Sequence, residues 1–193
     1  DLSAHQVGRV IVYLDLLLRW NRKINLTAVR SAEDCVTRHF GESLFLSRCL
    51  ELKGRLLDVG SGAGFPGLAL KIVSPGLTVT LLEPAAKKRA FLKEVARVCS
   101  MDSVEVRSER LADFVIREPE SRFDTVTARA VGDLDRLVPD ATELLAPGGR
   151  LCLWLTNSQV PGLVRISSRL HWDEPIPVPL SRERVILLGH LAA

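Results

Sequence analysis

The fold of this chain is decided by the stretch Leu56-Leu57-Asp58-Val59-Gly60-Ser61-Gly62-Ala63-Gly64-Phe65-Pro66-Gly67. Its first four residues predict a buried strand, and the glycines that follow predict a tight turn. The apolar run at residues 68–73 predicts a helix that begins directly after the turn. Glycines let backbone N–H groups come close to a ligand, and the N-terminus of the next helix adds oriented donors with a partial positive charge. The stretch therefore predicts a site for a nucleotide-like ligand.

The composition is that of a globular protein with a substantial core. The chain has 193 residues, of which 47% are apolar, and its net charge of +3 does not by itself indicate a nucleic-acid partner. Its cysteines form no C-x-x-C pair, so we expect no zinc site or redox motif. Neither a secretory signal nor an apolar run of about 20 residues is visible. We therefore expect a cytoplasmic monomer without metal or membrane association.

Residues 1–50 are predicted to form a helical N-terminal extension that contains no strand. Ser3 is a predicted N-cap, and Ser31 with Asp34 has the spacing of a capping box. Apolar residues at helical spacing indicate the first helix, namely Val7, Val10, Ile11, Leu14, Leu17 and Leu18.

Residues 51–193 are predicted to form the core, and the whole chain is predicted to be a single domain. Predicted strands alternate with predicted helices, the strands at 56–59, 77–82, 104–106, 123–128 and 151–155 and the helices at 68–73, 85–99 and 134–145. This alternation predicts an α/β fold with a parallel, doubly wound sheet. Prolines interrupt the tail, after which residues 185–188 predict a late strand that could run antiparallel.

The glycine turn has two candidate ligands. Residues 62–67 match the G-x-G-x-x-G pattern of dinucleotide sites, and Glu83 is placed to bind a ribose, so NAD is one candidate. Three features favour S-adenosylmethionine instead. Asp58 would repel a pyrophosphate, the glycines begin earlier at Gly60, and residues 145–151 do not lead into a second nucleotide-binding half. The adenosine, ribose and methionine parts of S-adenosylmethionine suit the sheet edge, Glu83 and the turn, respectively.

Four further runs of sequence accompany the turn, namely Trp20-Asn21-Arg22-Lys23-Ile24-Asn25-Leu26-Thr27-Ala28, Arg38-His39-Phe40, Lys87-Lys88-Arg89-Ala90-Phe91-Leu92 and Thr127-Ala128-Arg129-Ala130-Val131. Together they resemble the glucose-inhibited division protein B family, the ribosomal RNA small subunit methyltransferases G. The resemblance covers about residues 20–155. It implies a class I S-adenosylmethionine-dependent methyltransferase with a Rossmann-like, mostly parallel sheet. It also implies methylation of a guanine N7 in 16S ribosomal RNA, either as RNA or in a 30S-like particle.

The turn and the resemblance together give a set of predicted site residues. Those predicted to bind the cofactor are Gly60, Ser61, Gly62, Gly64, Phe65, Glu83, Pro84, Ala85, Leu111, Ala112 and Arg129. Those predicted to bind RNA are Arg22, Lys23, Arg38 and His39. Guanine N7 is a free lone pair, so no general base is expected, and no metal is expected either. Arg129 is the one catalytic candidate, as a contact to phosphate or to the edge of the base.

Two departures from the family pattern leave other functions open. The family usually has Lys-Gly after the fifth strand, where this chain has Thr156-Asn157 and so lacks a cation at the mouth of the site. The acid of the family's Arg-His-x-x-Asp-Ser pattern is here the longer Glu42. The alternatives are a small-molecule methyltransferase on the same fold and a non-catalytic factor for RNA binding or ribosome assembly. For His39 and Trp20, a structural role competes with RNA contact.

Overall fold

A computed structural model describes residues 2–130, 132–163, 166 and 169–191. The helical segments are α1 (Ala4–Asn21), α2 (Ala32–Asp34), a π-helical segment (Cys35–Gly41), α3 (Glu42–Cys49), α4 (Gly67–Val73), α5 (Ala86–Val98), α6 (Leu111–Arg117), α7 (Leu134–Glu143), a 3₁₀ turn (Asn157–Gln159) and α8 (Val160–Leu163). The strands are β1 (Arg55–Val59), β2 (Thr78–Leu82), β3 (Val104–Arg107), β4 (Phe123–Arg129), β5 (Leu145–Thr156), β6 (Leu170–Trp172), β7 (Ile176–Pro177) and β8 (Arg184–Leu191). Within these residues, no helix is both long and apolar enough to cross a membrane.

The strands form one mixed sheet of eight strands in the order β3-β2-β1-β4-β5-β8-β6, with β7 beside β8. Strands β1 to β5 pair in parallel, and β8 runs antiparallel to β5, as the sequence predicted. The strand order reverses between β1 and β4, which makes their carboxyl ends the switch point where open α/β sheets bind ligands. Val59 pairs with Leu82 on one side and with Ala128 on the other. The glycine turn therefore leaves the sheet between Glu83 and Arg129.

The helical extension packs on one face of the sheet. Ser3 caps α1 by accepting from the backbone N–H of Gln6, and Ser31 caps α2 by accepting from that of Asp34, so both predicted caps are confirmed. Buried aromatic side chains join the extension to the core behind the glycine turn, namely Tyr13, Phe40, Phe65 and Phe91. The burial of this apolar surface is what holds the extension in place.

The structure also contains short elements that the sequence did not predict. Helix α6 has seven residues, too few for a clear helical period, and β6 has three. Strand β7 pairs with β8 outside the main strand order. Pro177 has no N–H to donate, and it is tolerated in β7 because this strand does not lie in the middle of the sheet. Val131, the last residue of one family motif, lies outside the described residues.

We predict that Gly64→Ala destabilises the protein by about 2–4 kcal/mol. Gly64 has φ +87°, and a Cβ there would collide with the hydroxyl of Tyr13 and lie 2.9 Å from Cδ1 of Leu68. Gly148→Ala is the matched control, because Gly148 has φ +74° but open space around it. The control should cost only the backbone strain, about 1 kcal/mol. Urea unfolding of both variants measures the difference, and equal costs would contradict the collision.

Candidate cofactor site

Asp58 braces the glycine turn from inside the protein. Its carboxylate is fully buried and accepts from the Thr127 hydroxyl at 2.8 Å and from the Gly67 backbone N–H at 3.2 Å. Residue 67 must be glycine for this approach, because a Cβ there would lie 2.8 Å from Oδ2 of Asp58. Burial raises the pKa of Asp58 to about 6. Asp58 therefore joins β1, β4 and α4, and no ligand need touch it.

Glu83 ties the turn to the end of β2. One of its carboxylate oxygens accepts from the Gly62 N–H at 2.9 Å, and the other accepts from the Ala85 N–H at 2.8 Å. A carboxylate oxygen can accept more than one hydrogen bond, so both oxygens keep a free lone pair. This acceptor set fits the two hydroxyls of a ribose at the carboxyl end of β2.

Ser61 and Gly64, both predicted to bind cofactor, instead hold the turn together. Ser61 is buried, and its hydroxyl donates to the Asp58 carbonyl at 2.9 Å while its N–H donates to the Leu82 carbonyl at 3.0 Å. The N–H of Gly64 donates back to the Ser61 carbonyl at 2.6 Å, and its Cα faces Tyr13. Both residues therefore support the turn rather than offer free donors to a ligand.

The exposed edge of the site consists of small residues that follow the ends of β1, β2 and β3. Gly60, Pro84, Ala85 and Ala112 are exposed and Gly62 is partly exposed, whereas Leu111 is buried. Gly60 and Gly62 adopt positive φ angles of 67° and 55°, which are readily available to glycine. The sequence predicted these positions as one site, and the sheet brings them to one edge. This exposed edge of small residues can accept a flat, partly apolar group such as a nucleoside.

Phe65 was expected to line the cofactor site, but the structure places its ring within the core. Tyr13 stacks on it with ring centroids 5.2 Å apart, His39 stacks at 4.9 Å, and Phe40 meets it edge-on at 5.0 Å. The side chain is 7% exposed. The helical extension covers the ring on these sides, so the ring supports the turn from within, and contact between Phe65 and the cofactor stays a prediction. Phe65 joins the turn to the extension.

His39 was expected to contact RNA, and it too has an internal role. Its Nε2 lies 2.8 Å from the hydroxyl of Thr27, and its ring packs on Phe65. Burial, with smaller contributions from Arg129 and Arg38, lowers the pKa of His39 to about 4. The imidazole is therefore neutral near pH 7 and cannot attract phosphate as a cation.

Arg129 faces the helical extension rather than an open phosphate site. Its guanidinium donates to the Arg38 carbonyl at 2.5 Å and to the Ser43 hydroxyl at 3.3 Å, and it forms an ion pair with Glu42 at 3.1 Å. Its side chain is only 13% exposed, so the expected direct contact to phosphate or base would require these bonds to break. Arg129 instead fixes the extension against the end of β4.

Glu42 and Arg184 complete this network, although neither was among the predicted site residues. Arg184 pairs with Glu42 at 2.7 Å and lies directly opposite Thr156 on β8. A cation of β8 therefore lies opposite Thr156, where the sequence led us to expect that the mouth of the site lacks one. The only sequence signal was the longer acid at Glu42, because the register of β8 against β5 cannot be read from local pattern.

The remaining predicted RNA contacts lie on the extension. Arg22 and Lys23 line a cavity of about 660 Å³ together with Trp20, and Arg38 is exposed beside Arg129. A second cavity, of about 700 Å³, is lined by residues of α3 and the tail, among them Phe45 and Val178. Neither of these two cavities includes the glycine turn.

A family model for rRNA small subunit methyltransferase G, GidB, matches residues 6–160. The chain belongs to this family. It is 43% identical over 151 residues to a ribosomal RNA small subunit methyltransferase G of Halorhodospira halophila, which covers 78% of this chain and 70% of that protein. The corresponding protein of Methylobacillus flagellatus is 40% identical over 162 residues, or 83% of this chain and 76% of the relative. That of Chloroflexus aggregans is 44% identical over 153 residues, or 78% and 64% of the two chains.

Solved structures show the fold of this family member. The glycopeptide N-methyltransferase MtfA, in complex with S-adenosylmethionine, superposes with a TM-score of 0.65 at 18% identity, covering 80% of this chain and 94% of that one. The ribosomal protein L11 methylase of Lactobacillus delbrueckii subsp. bulgaricus superposes with a TM-score of 0.64 at 16% identity, and the match covers 78% of this chain and 76% of that one. The predicted class I methyltransferase fold is therefore confirmed.

We predict that Asp58→Asn changes how stability depends on pH. The folded protein ionises Asp58 at a pKa of about 6 instead of 3.8. The contribution of Asp58 to stability therefore falls by roughly 3 kcal/mol as the pH rises through this window, whereas the asparagine variant has no carboxyl to titrate. Urea unfolding between pH 4 and about 8 should show the wild type losing stability relative to the variant up to about pH 7, one unit above the pKa of the folded protein, and then a constant difference. The lowered pKa of His39 gives both proteins a contribution to stability that rises with pH, so this contribution cancels in the difference between them. A difference in stability that stays constant over the whole pH range would contradict the argument that burial raises the pKa of Asp58.

Proposed function

We propose that this chain transfers a methyl group from S-adenosylmethionine to N7 of a guanine in small-subunit ribosomal RNA, free or in a 30S-like particle. The observation that carries the proposal is the open glycine turn tied to Glu83 at the switch point of the sheet. Membership of the rRNA small subunit methyltransferase G family supports the choice of RNA over a small-molecule acceptor.

The residues at the edge fit this cofactor. In our proposal Glu83 accepts from the ribose hydroxyls, the chain at Pro84–Ala85 borders the ribose, and Ala112 borders the adenine above buried Leu111. The methionine end lies along Gly60 and Gly62, and a Cβ at residue 62 would meet nothing closer than 3.7 Å among the described residues. The lone pairs left on Glu83 and the absence of Cβ atoms at the turn support this placement.

The charges around the edge suit an acceptor that needs no general base. When bound, S-adenosylmethionine supplies an already activated methyl group, and guanine N7 offers a lone pair without a proton to remove. Glu83 accepts two backbone N–H bonds, Asp58 is fully buried, and Glu42 pairs with two arginines. These carboxylates are engaged, so what the chain contributes is alignment and the exclusion of water. Arg129 is a positioning residue in this scheme, because it fixes the extension beside the site.

The helical extension supplies the proposed RNA surface. Arg22 and Arg38 are exposed cations, and Lys23 lies with Arg22 in the cavity beside Trp20. Cations placed in this way bind the phosphate backbone without reading sequence. His39 is not part of this proposed surface because its imidazole is neutral near pH 7 and bonded to Thr27.

We predict that the protein transfers label from methyl-labelled S-adenosylmethionine to guanine N7 of small-subunit particles that lack the modification, and that Gly62→Asp strongly lowers this transfer when the cofactor concentration is limiting. Gly62 has φ +55°, so a side chain there costs backbone strain of about 1 kcal/mol, but a Cβ would lie 3.7 Å from its nearest neighbour and the variant should still fold. Its carboxylate would stand beside Glu83 on the open side and weaken cofactor binding more than about tenfold, or 1.4 kcal/mol. Calorimetry measures cofactor affinity, and mapping of the labelled base measures the product.

The control for this variant is Gly76→Asp, because Gly76 is exposed and precedes β2 at the other edge of the sheet. It should bind cofactor and transfer methyl groups as the wild type does. Label on a ribose or an exocyclic amine, or equal cofactor binding by both variants, would contradict the proposal.

We predict that the double variant Arg22→Ala, Lys23→Ala binds small-subunit RNA more weakly but binds cofactor normally. Loss of two phosphate contacts should flatten the dependence of log affinity on log salt by about 2. Lys53→Ala is the control, since Lys53 is exposed just before β1 at the other edge. Filter binding over a salt series provides the measurement, and an unchanged slope in the double variant would place the RNA surface elsewhere.

A further inference from the structure

The antiparallel pairing of β6 with β8 brings two histidines and an aspartate together. His171 lies directly opposite His190, with ring centroids 5.1 Å apart. Asp173 continues the pairing through its N–H, which donates to the Leu188 carbonyl at 2.9 Å, and it projects on the same face as His171 because side chains alternate along a strand. One ligand atom from each of the three side chains lies within 4.8 Å of the others.

The opposite face of these strands holds the histidines in register. Trp172 lies across Gly189, where a Cβ would be only 2.6 Å from Cζ3 of the indole. Residue 189 must therefore be glycine for the indole to pack there, and this packing fixes which residues of β6 and β8 face each other. A shift of one residue would turn one histidine to the other face.

We propose that His171, Asp173 and His190 bind a divalent transition-metal ion of the zinc class. Two imidazole nitrogens and a carboxylate oxygen are ligands that Zn²⁺ takes in proteins, with water in the fourth position. Tetrahedral coordination at about 2.0–2.1 Å would place these atoms roughly 3.3 Å apart. His171 and Asp173 are exposed and His190 is half-buried, so small rotamer changes can close the remaining distance.

The metal site lies away from the candidate cofactor site. His190 lies opposite Arg150 on β5, whereas Arg129 at the candidate cofactor site lies opposite Trp154 on the same strand. Arg150 and Trp154 are four residues apart, so the two sites are about 13 Å apart along the strand direction. The ion would therefore take no part in methyl transfer. It would join β6 to β8 and stabilise the last strands of the sheet. The exposed cation Arg150 neighbours His190 and should keep the affinity moderate.

Titration of Zn²⁺ into the chelator-treated full chain, followed by calorimetry, tests the proposal. We expect one ion per chain, with the affinity at least tenfold weaker in His171→Ala and in His190→Ala. His5→Ala is the matched control, because His5 is an exposed histidine on α1, and it should bind as the wild type does. Absence of binding to the wild type, or equal affinity in all variants, would overturn the site.

A second measurement separates loss of the metal site from loss of the fold. Zn²⁺ should raise the Tm of the wild type and of His5→Ala but not that of Asp173→Asn, a variant of nearly equal size whose fold circular dichroism can verify without metal. An equal rise in Tm for Asp173→Asn would overturn the proposal, because the ion would then be held by other groups.

Discussion

The carboxylate of Asp58 accepts hydrogen bonds from Thr127 on β4 and from Gly67 at the start of α4. Because the side chain is fully buried, loss of either partner would leave an unpaired polar group in the core. These two contacts therefore hold β1, β4 and α4 together at the switch point of the sheet. The turn between them follows from this constraint. Its donors bond inward to Asp58, Ser61 and Glu83, and Gly60 and Gly62 are the exposed and partly exposed residues on its open side.

The helical extension supports this turn from behind. Tyr13 donates to the Ala63 carbonyl and stacks on Phe65, while Arg129 and Glu42 tie α3 to the end of β4. The extension is therefore bonded to the same elements that form the cofactor edge. This arrangement explains why several residues of the family motifs turn out to be internal. In our proposal they position the surface on which an RNA meets the methyl donor.

The parts of the site that depend on local sequence could be predicted, and the parts that depend on distant contacts could not. The strands, the turn and Glu83 follow from short-range pattern. Arg129 was expected at the open mouth, but its partners come from residues some 90 positions earlier in the chain. Arg184 could not be placed without the register of β8. His171 and His190 were given no role for the same reason, since only strand pairing brings them together.

A crystal structure of the chain with S-adenosylhomocysteine would show where the cofactor binds. We predict the ribose hydroxyls within hydrogen-bonding distance of Glu83, the adenine beside Ala112 and the amino-acid end along Gly60 and Gly62. A ligand bound instead in the cavity lined by Phe45 and Val178, with the glycine turn untouched, would show that Glu83 and the turn do not form the cofactor site.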